Sequence, residues 1–419
     1  MRVLWICNIV LNDFAGEFGI KRKPFGGWME GMFHQLRHRR EIEIGFCFPI
    51  HDEFRMKNGI HCECNYYSFH STMDEKPYDA SMSNEFLPIL RDFQPDVIQI
   101  WGTEYNHARA IVDACSAIGI GDNVLIHVQG LVSYYAMHYA LGVPEKHVYA
   151  TDDGGASISD DVDDFIKKGK NEEKTLKSAK HITGRTDWDK ICSYQINPSA
   201  EYHFCNENLR KNFYESYKWD IGKCQRHSIF LSQASYPVKG AHYFLQAVPI
   251  LCEKYQDLTV YIGGSDPTRP NKRGEISPYG IYLRELIEEL EANDKIHFLG
   301  ALDESEIIAQ YLNANVFVSP STIENSSNSI SEAMILGTPV VASYVGGTPS
   351  MIKHGRNGLL YPCDAYYMMA GYISRIFEDD ELALRMSRGA IETATKRHDR
   401  EKNADRLIEI YGEIARGQM

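Results

Sequence analysis

Two carboxylates, Glu324 and Glu332, stand with seven residues between them, in a stretch whose composition fits phosphate and sugar chemistry. A carboxylate accepts two hydrogen bonds at once, which suits a pair of vicinal hydroxyls. Around them the chain reads VFVSPSTIENSSNSISEAMILGTPVVASYVGGTPSMIKHGRNGLLYP, from Val316 to Pro362. The apolar run Val316 to Val318, stopped by Pro320, predicts a buried strand. A polar loop, Ser321 to Ser329, follows, then a helical pattern from Ile330 to Gly337 as its C-cap. Pro339 opens a second apolar run, Val340 to Tyr344. In an open α/β sheet such a loop lies beyond the carboxyl end of the strand, where backbone N–H groups and a helix N-terminus face an anion. A phosphate cradle between two carboxylates points to a nucleotide sugar. Taken singly, Glu332 reads as a residue that favours a helix start and Glu324 as a solvated loop residue; in register with the whole stretch they read as a site.

The Glu, seven residues, Glu spacing, followed by EAMILGTPVVAS, a Gly-Gly pair and NGLLYP, resembles the donor site of retaining glycosyltransferase family four, which has the GT-B fold. The resemblance spans most of the chain, with strong motifs in the second half and weak ones in the first. It implies that Glu324 contacts the transferred sugar and Glu332 the ribose hydroxyls. It gives Lys239, in a Lys-Gly loop where a lysine reaches a pyrophosphate as a point charge, the diphosphate role. Asn328, Ser329 and Ile330 fall at the phosphate end of the helix, and Gly264 and Gly300 in the base and ribose region. Gly26 and Gly27 match the Gly-rich first loop, against the donor phosphates and the acceptor. The chain departs from the family in three places. Gln129 stands where many relatives have a histidine, so no general base is available there. Gln233 stands where an arginine is usual, with Arg185, Arg269, Lys272 or Arg273 as substitutes. Asn325 to Ser329 replace the glycines more common between the two glutamates.

Length and composition set the frame for these residues. At 419 residues the chain exceeds the roughly 250 to 300 at which one core stops growing, so two domains are expected. The net charge of −13 argues against a general nucleic-acid binder, which needs a basic face. Ten scattered cysteines with no repeated CxxC indicate neither a zinc site nor a small disulfide framework, and fit a reducing cytoplasm. The opening MRVLWICNIVLND has a short apolar run interrupted by Asn8 and no small-residue cleavage site, so it reads as a first strand. No apolar run approaches the roughly 18 residues of a membrane span.

Apolar runs at Val3 to Cys7, Ile42 to Phe48, Ile60 to Phe69, Val97 to Trp101 and Val124 to Val128, and a strand end at His181 to Thr186, alternate with helical patterns, as do Ser228 to Leu231, Val260 to Gly264 and Ile296 to Gly300. Such alternation predicts parallel sheets covered on both faces. The expected class is α/β: two Rossmann-like doubly wound domains, 1–222 for the acceptor and 223–396 for the donor, facing across a cleft, with 397–419 a helix crossing back to the first. Just past strand ends stand the acceptor-cleft candidates Glu104, His107, His127, Gln129 and Arg185. Each histidine reads equally as a structural one, and Arg185 as an anion ligand or a loop anchor.

The segment 21–40 carries Lys21, Arg22, Lys23, Arg37, Arg39 and Arg40, beside an apolar side of Trp28, Met29, Met32, Phe33 and Leu36. It offers peripheral contact with an anionic membrane, or an ordinary helix facing a core. Thr151 to Lys174 reads as a mobile acidic loop, whose Asp161-Val162-Asp163 lacks the scaffold a metal site needs. The resulting expectation is a retaining hexosyltransferase of the cytoplasm or of the inner face of the membrane. It takes a nucleoside diphosphate sugar and a glycan or lipid-linked acceptor, without metal or other cofactor, in surface-polysaccharide synthesis. A GT-B epimerase and a catalytically weak partner subunit are the alternatives.

Overall fold

The computed structural model describes residues 1–21, 26–51, 56–152, 154–272 and 274–417. Arg22, Lys23 and Arg273, named above, and Asp153 of the acidic segment lie outside the described residues. The chain forms two compact units. The first comprises 1–133, 166–210 and 398–419, and the second 134–165 and 211–397.

In the first unit the strands are β1 Arg2–Cys7, β2 Glu43–Ile50, β3 Asn58–His61, β4 Cys64–His70, β5 Val97–Trp101, β6 Val124–His127, β7 His181–Gly184 and β8 Glu201–Phe204. They form one sheet in the order β3-β4-β2-β1-β5-β6-β7-β8. Every neighbouring pair is parallel except β3 with β4. That exception divides the single run expected from Ile60 to Phe69. Cys62 and Glu63 take positive φ of 50° and 63° and turn the chain into a hairpin, the geometry of a tight two-residue connection. Val3, Trp5, Phe46, Phe48 and Trp101 are wholly buried in the core around β1.

The helix Gly27–Leu36 sends Met29, Met32, Phe33 and Leu36 into this same core. The apolar side of the basic segment is thus occupied by its own unit and is not a membrane-facing surface. Its terminal cation Arg39 pairs with Glu401 and Asp405 of the helix Arg400–Arg416, which packs in the same unit. The segment expected to be a mobile acidic loop is instead largely the helix Ile158–Lys177. Asp160 and Asp161 occupy its first turn, where acids favour the helix dipole, and lysines its last; Ser157 Oγ and N donate to Asp160 and tie the turn. Acidic composition there is a capping pattern rather than a sign of disorder. The next helix, Asp187–Ile196, is capped by Thr186 in a reciprocal box with Asp189.

The second unit holds β9 Ser228–Leu231, β10 Thr259–Ile262, β11 Ile296–Phe298, β12 Val316–Ser319, β13 Val340–Ser343 and β14 Leu359–Tyr361. Their order is β11-β10-β9-β12-β13-β14, all parallel. Successive strands run outward from β9 through β10 to β11, and then restart on its other side with β12. The reversal between β9 and β12 is a topological switch point, where the loops leaving two adjacent strands diverge and open a crevice. In the first unit the same reversal falls between β1 and β5. Among the described residues no helix is long and apolar enough to cross a membrane.

Candidate active site

At the switch point of the second unit the loop after β9 carries Lys239 and the loop after β12 carries Glu324. Their side chains meet, with Lys239 Nζ 2.6 Å from Glu324 Oε1. Gly240 makes this approach possible. It sits at φ 69°, and a Cβ there would lie 1.9 Å from the carbonyl oxygen of Pro320, so any side chain would push the lysine loop off the end of β12. Thr322 N donates to Val238 O at 2.8 Å and stitches the two loops together. Ser321 Oγ donates to Glu324 Oε1 at 3.1 Å. Behind the loop, Gly347 N donates to Glu324 O, and a Cβ on Gly346 would come within 2.0 Å of that same oxygen. The Gly-Gly pair is therefore needed for the backbone under Glu324.

Burial works against the charge on Lys239, but the adjoining Glu324 outweighs it and holds the ammonium well above the usual lysine range. The lysine is cationic throughout the physiological range and retains some exposure, 21% of its side chain.

The helix Asn328–Leu336 begins directly after this loop and ends at Gly337, φ 88°. Asn328 and Ser329 are part-exposed at its first turn, whereas Ile330 is wholly buried. The first-turn N–H groups have no carbonyl within the helix to bond and present a partial positive charge. Glu332 lies one turn further in, 7% exposed, with Tyr311 Oη 3.4 Å from its Oε2 and donating to Ser329 O at 3.1 Å. Gly264 and Gly300, at φ 82° and 76°, pair with each other through Gly264 N to Gly300 O at 2.9 Å, so both turns stay open beyond β10 and β11. Gln233 donates to Ser235 Oγ.

Among the proposed stand-ins for a missing arginine, Arg269 is largely exposed and pairs with Asp266, Lys272 is exposed, and Arg185 belongs to the other unit. Sequence reasoning did not single out Arg397, whose Nη2 donates to Ser326 Oγ at 3.2 Å within the donor-type loop. It also missed Tyr135. The Tyr135 hydroxyl accepts the N–H of Asn325 at 2.9 Å, and burial, with Glu324 next, pushes its ionisation far up, so it stays a neutral phenol. Thr322 Oγ1 donates to His138 O. Residues 134–165 thus brace the Glu324 loop from nearly two hundred positions away, and no local pattern announces it.

In the first unit, Gly26 at φ 93° caps the helix Gly27–Leu36, and a Cβ on Gly27 would stand 2.5 Å from Arg210 Cγ. Across the switch point, Gly102 at φ 96° follows β5, and Glu104 Oε2 accepts the N–H of Thr103 at 2.9 Å. His107 is buried, with its backbone N and Nδ1 both on Asp74, which is an anchoring arrangement. His127, Arg185 and Glu207 form a buried cluster. Arg185 Nη1 lies 3.0 Å from Glu207 Oε1 and from His127 Nε2, and it donates to Val128 O; His127 Nε2 lies 2.8 Å from Glu207. Burial first, then Arg185, lowers the affinity of His127 for a proton against the pull of Glu207. Arg185 Nη2 lies 3.5 Å from the carbonyl oxygen of Gln129. Arg185 is a loop anchor at 4% exposure, and it holds the main chain at Gln129. Glu172, another group sequence reasoning passed over, is wholly buried. It accepts from Thr103 Oγ1, Val132 N, Ser133 N and Ser133 Oγ, tying the loops after β5 and β6, and burial raises its carboxyl to about 7.

Residues 216–393 match the family model described as glycosyl transferases group 1. The chain is similar to the D-inositol 3-phosphate glycosyltransferase of Corynebacterium urealyticum, 31% identical over 180 residues, and to the alpha-D-kanosaminyltransferase of Streptomyces kanamyceticus, 27% identical over 176. Each match covers 42% of this chain, and 40% and 43% of the relative, so it spans less than half the length of these proteins. Among solved structures, sucrose-phosphate synthase from Thermosynechococcus elongatus aligns with a TM-score of 0.72 at 15% identity, over 99% of both chains. Anabaena HepE in complex with UDP-glucose aligns at 0.67 and 15%, over 99% of this chain and 100% of that one. The class so defined is the GT-B fold, two Rossmann-like α/β units. The match to the group 1 glycosyl transferase model, residues 216–393, falls on the second of them.

Proposed function

We propose that this protein is a retaining glycosyltransferase that moves a hexosyl group from a nucleoside diphosphate sugar to a glycan or lipid-linked acceptor. The observation that carries this reading is the Lys239–Glu324 pair at the switch point, immediately before the N-terminus of the Asn328–Leu336 helix. Lys239 and the N–H groups at Asn328, Ser329 and Ile330 stabilise the departing diphosphate, the largest charge developed in the reaction. Glu324 contacts the transferred sugar, and Glu332 the ribose hydroxyls. Gly264 and Gly300 leave room for base and ribose. Arg397, at Ser326, is our choice for the cation that Gln233 does not supply. The acceptor proton passes to a phosphate oxygen of the leaving diphosphate, so Gln129 need only hydrogen-bond the sugar. Glu104 and Gln129 serve the acceptor side. Neither a metal nor another cofactor is part of this reading.

Uridine is the base to try first, because the HepE complexes contain UDP and UDP-glucose. Relatives named for inositol 3-phosphate glycosylation and for kanosaminyl transfer leave surface-polysaccharide synthesis at the cytoplasmic membrane face as our choice of setting. The test is a thermal-shift and hydrolysis panel of UDP-, GDP- and ADP-sugars without acceptor. One nucleotide family is expected to raise Tm and be slowly hydrolysed, and Glu332→Ala to abolish both. Binding with formation of an epimer would move the reading to an epimerase, and no response to any member to a partner subunit.

A further inference from the structure

A second cluster lies in the first unit, at the ends where β7 and β8 begin, and the reading above does not use it. In the parallel register His181 faces Glu201, and His203 follows two residues along β8. Side chains two apart on a strand return to the same face, so all three project together. The His181, Glu201 and His203 ligand atoms lie within 4.8 Å of one another. His181 Nδ1 is 3.0 Å from His203 Nε2 and 3.6 Å from a carboxylate oxygen of Glu201. We propose that His181 Nδ1, His203 Nε2 and the Glu201 carboxylate bind one divalent transition-metal ion of the zinc type, with the fourth position open to solvent.

The distances suit such an ion. Two ligands about 2.0–2.1 Å from a common metal stand about 2.9 Å apart on an octahedral edge and about 3.3 Å apart on a tetrahedral one. The two nitrogens already have that spacing, and Glu201, 64% exposed, is free to swing inward. His203 is oriented from behind: its Nδ1 lies 3.4 Å from Glu413 Oε2, whose partner oxygen accepts from Arg406 Nη1 at 3.1 Å. A carboxylate on the far ring nitrogen fixes the tautomer that points its lone pair at a metal. Burial lowers the proton affinity of both imidazoles, which favours the neutral form that can ligate. Access is through a cavity of about 790 Å³ lined by His181, Glu201, Glu413, Asp122 and Lys180. Lys180 is occupied by Asp122 at 2.8 Å, so its charge and that of Arg406 are each offset by a carboxylate. Two imidazoles and one carboxylate favour Zn²⁺, Co²⁺ or Ni²⁺ over Mg²⁺ or Ca²⁺. Because Glu413 belongs to the helix Arg400–Arg416, an ion here also ties that helix to β7 and β8.

The test is calorimetric titration of the EDTA-stripped 419-residue chain with ZnCl₂ at pH 7.5, with MgCl₂ as control and Tm recorded alongside. One Zn²⁺ per chain, a raised Tm and no response to Mg²⁺ are expected. His203→Gln is expected to remove the binding. Glu201→Ala, on an exposed side chain whose loss leaves the fold in EDTA unchanged, is expected to weaken it at least about tenfold. The proposal is overturned if the wild-type chain binds Zn²⁺ no tighter than about 100 μM, about 5.5 kcal/mol. It is equally overturned if Glu201→Ala changes the affinity less than about threefold, which would put any bound zinc on other histidines.

Discussion

Replacing Glu324 by Gln separates the two roles given to the Lys239–Glu324 pair. In the unliganded protein the carboxylate neutralises a lysine that is only 21% exposed, at 2.6 Å. Removing one partner of a well-buried ion pair costs about 3–5 kcal/mol, and an exposed pair contributes about 1 kcal/mol at most. Residual solvent at both side chains, and an isosteric amide that still accepts a hydrogen bond from Nζ, place Glu324→Gln between these limits, at about 2 kcal/mol. For a unit of this size that is a fall in Tm of about 4–8 °C. Binding of nucleoside diphosphate should move the other way. Its phosphates compete with Glu324 for Lys239 and are repelled by the carboxylate, so the variant should bind free UDP as tightly as the wild type or several-fold tighter. Transfer from UDP-sugar should fall by about 10²-fold or more, since the hydrogen bonds to the sugar lose their charged acceptor. The assay is a Tm titration with UDP on both proteins, paired with single-turnover sugar release. Unchanged stability together with weakened UDP binding would refute the argument, because it would mean that Glu324 neither holds Lys239 nor competes with phosphate.

Two further expectations concern the first unit. Glu172 has its carboxyl raised from 4.5 to about 7 by burial. The folded state therefore holds a proton that the unfolded state has released, and the stability of the wild-type chain relative to Glu172→Gln should decline as pH rises from 5 to 8, by up to about 3 kcal/mol; a pH-independent difference in unfolding free energy would contradict this. Glu207→Gln should leave Arg185 buried beside His127 without a counter-charge and cost about 3–5 kcal/mol, read as a lowered Tm. A loss below about 1 kcal/mol would mean the cluster does not anchor the Gln129 loop.

The periodicity of the chain was sufficient for the alternation of strands and helices, because burial on both faces of a parallel sheet leaves continuous apolar runs such as Val97 to Trp101, and capping leaves local marks such as Asp303 with Glu306. Where the local signal was ambiguous it misled: the acids of 160–164 read as a loop yet start a helix, and the apolar run from Ile60 folds back at Cys62 and Glu63.

The Lys-Gly and Glu-x7-Glu patterns lie in local stretches, so the resemblance to a donor site could put Lys239, Glu324 and Glu332 forward together. The meeting of Lys239 with Glu324 was decided by strand order, since only the placement of β9 beside β12 brings these residues, 85 positions apart, to 2.6 Å. The same holds for Tyr135 on the Glu324 loop, for Arg397 at Ser326, and for the burial that turns Arg185 from a ligand candidate into an anchor. Spacing along the chain records which face of an element a residue occupies. Which other elements share that space is fixed by topology and packing, which a single sequence does not encode locally.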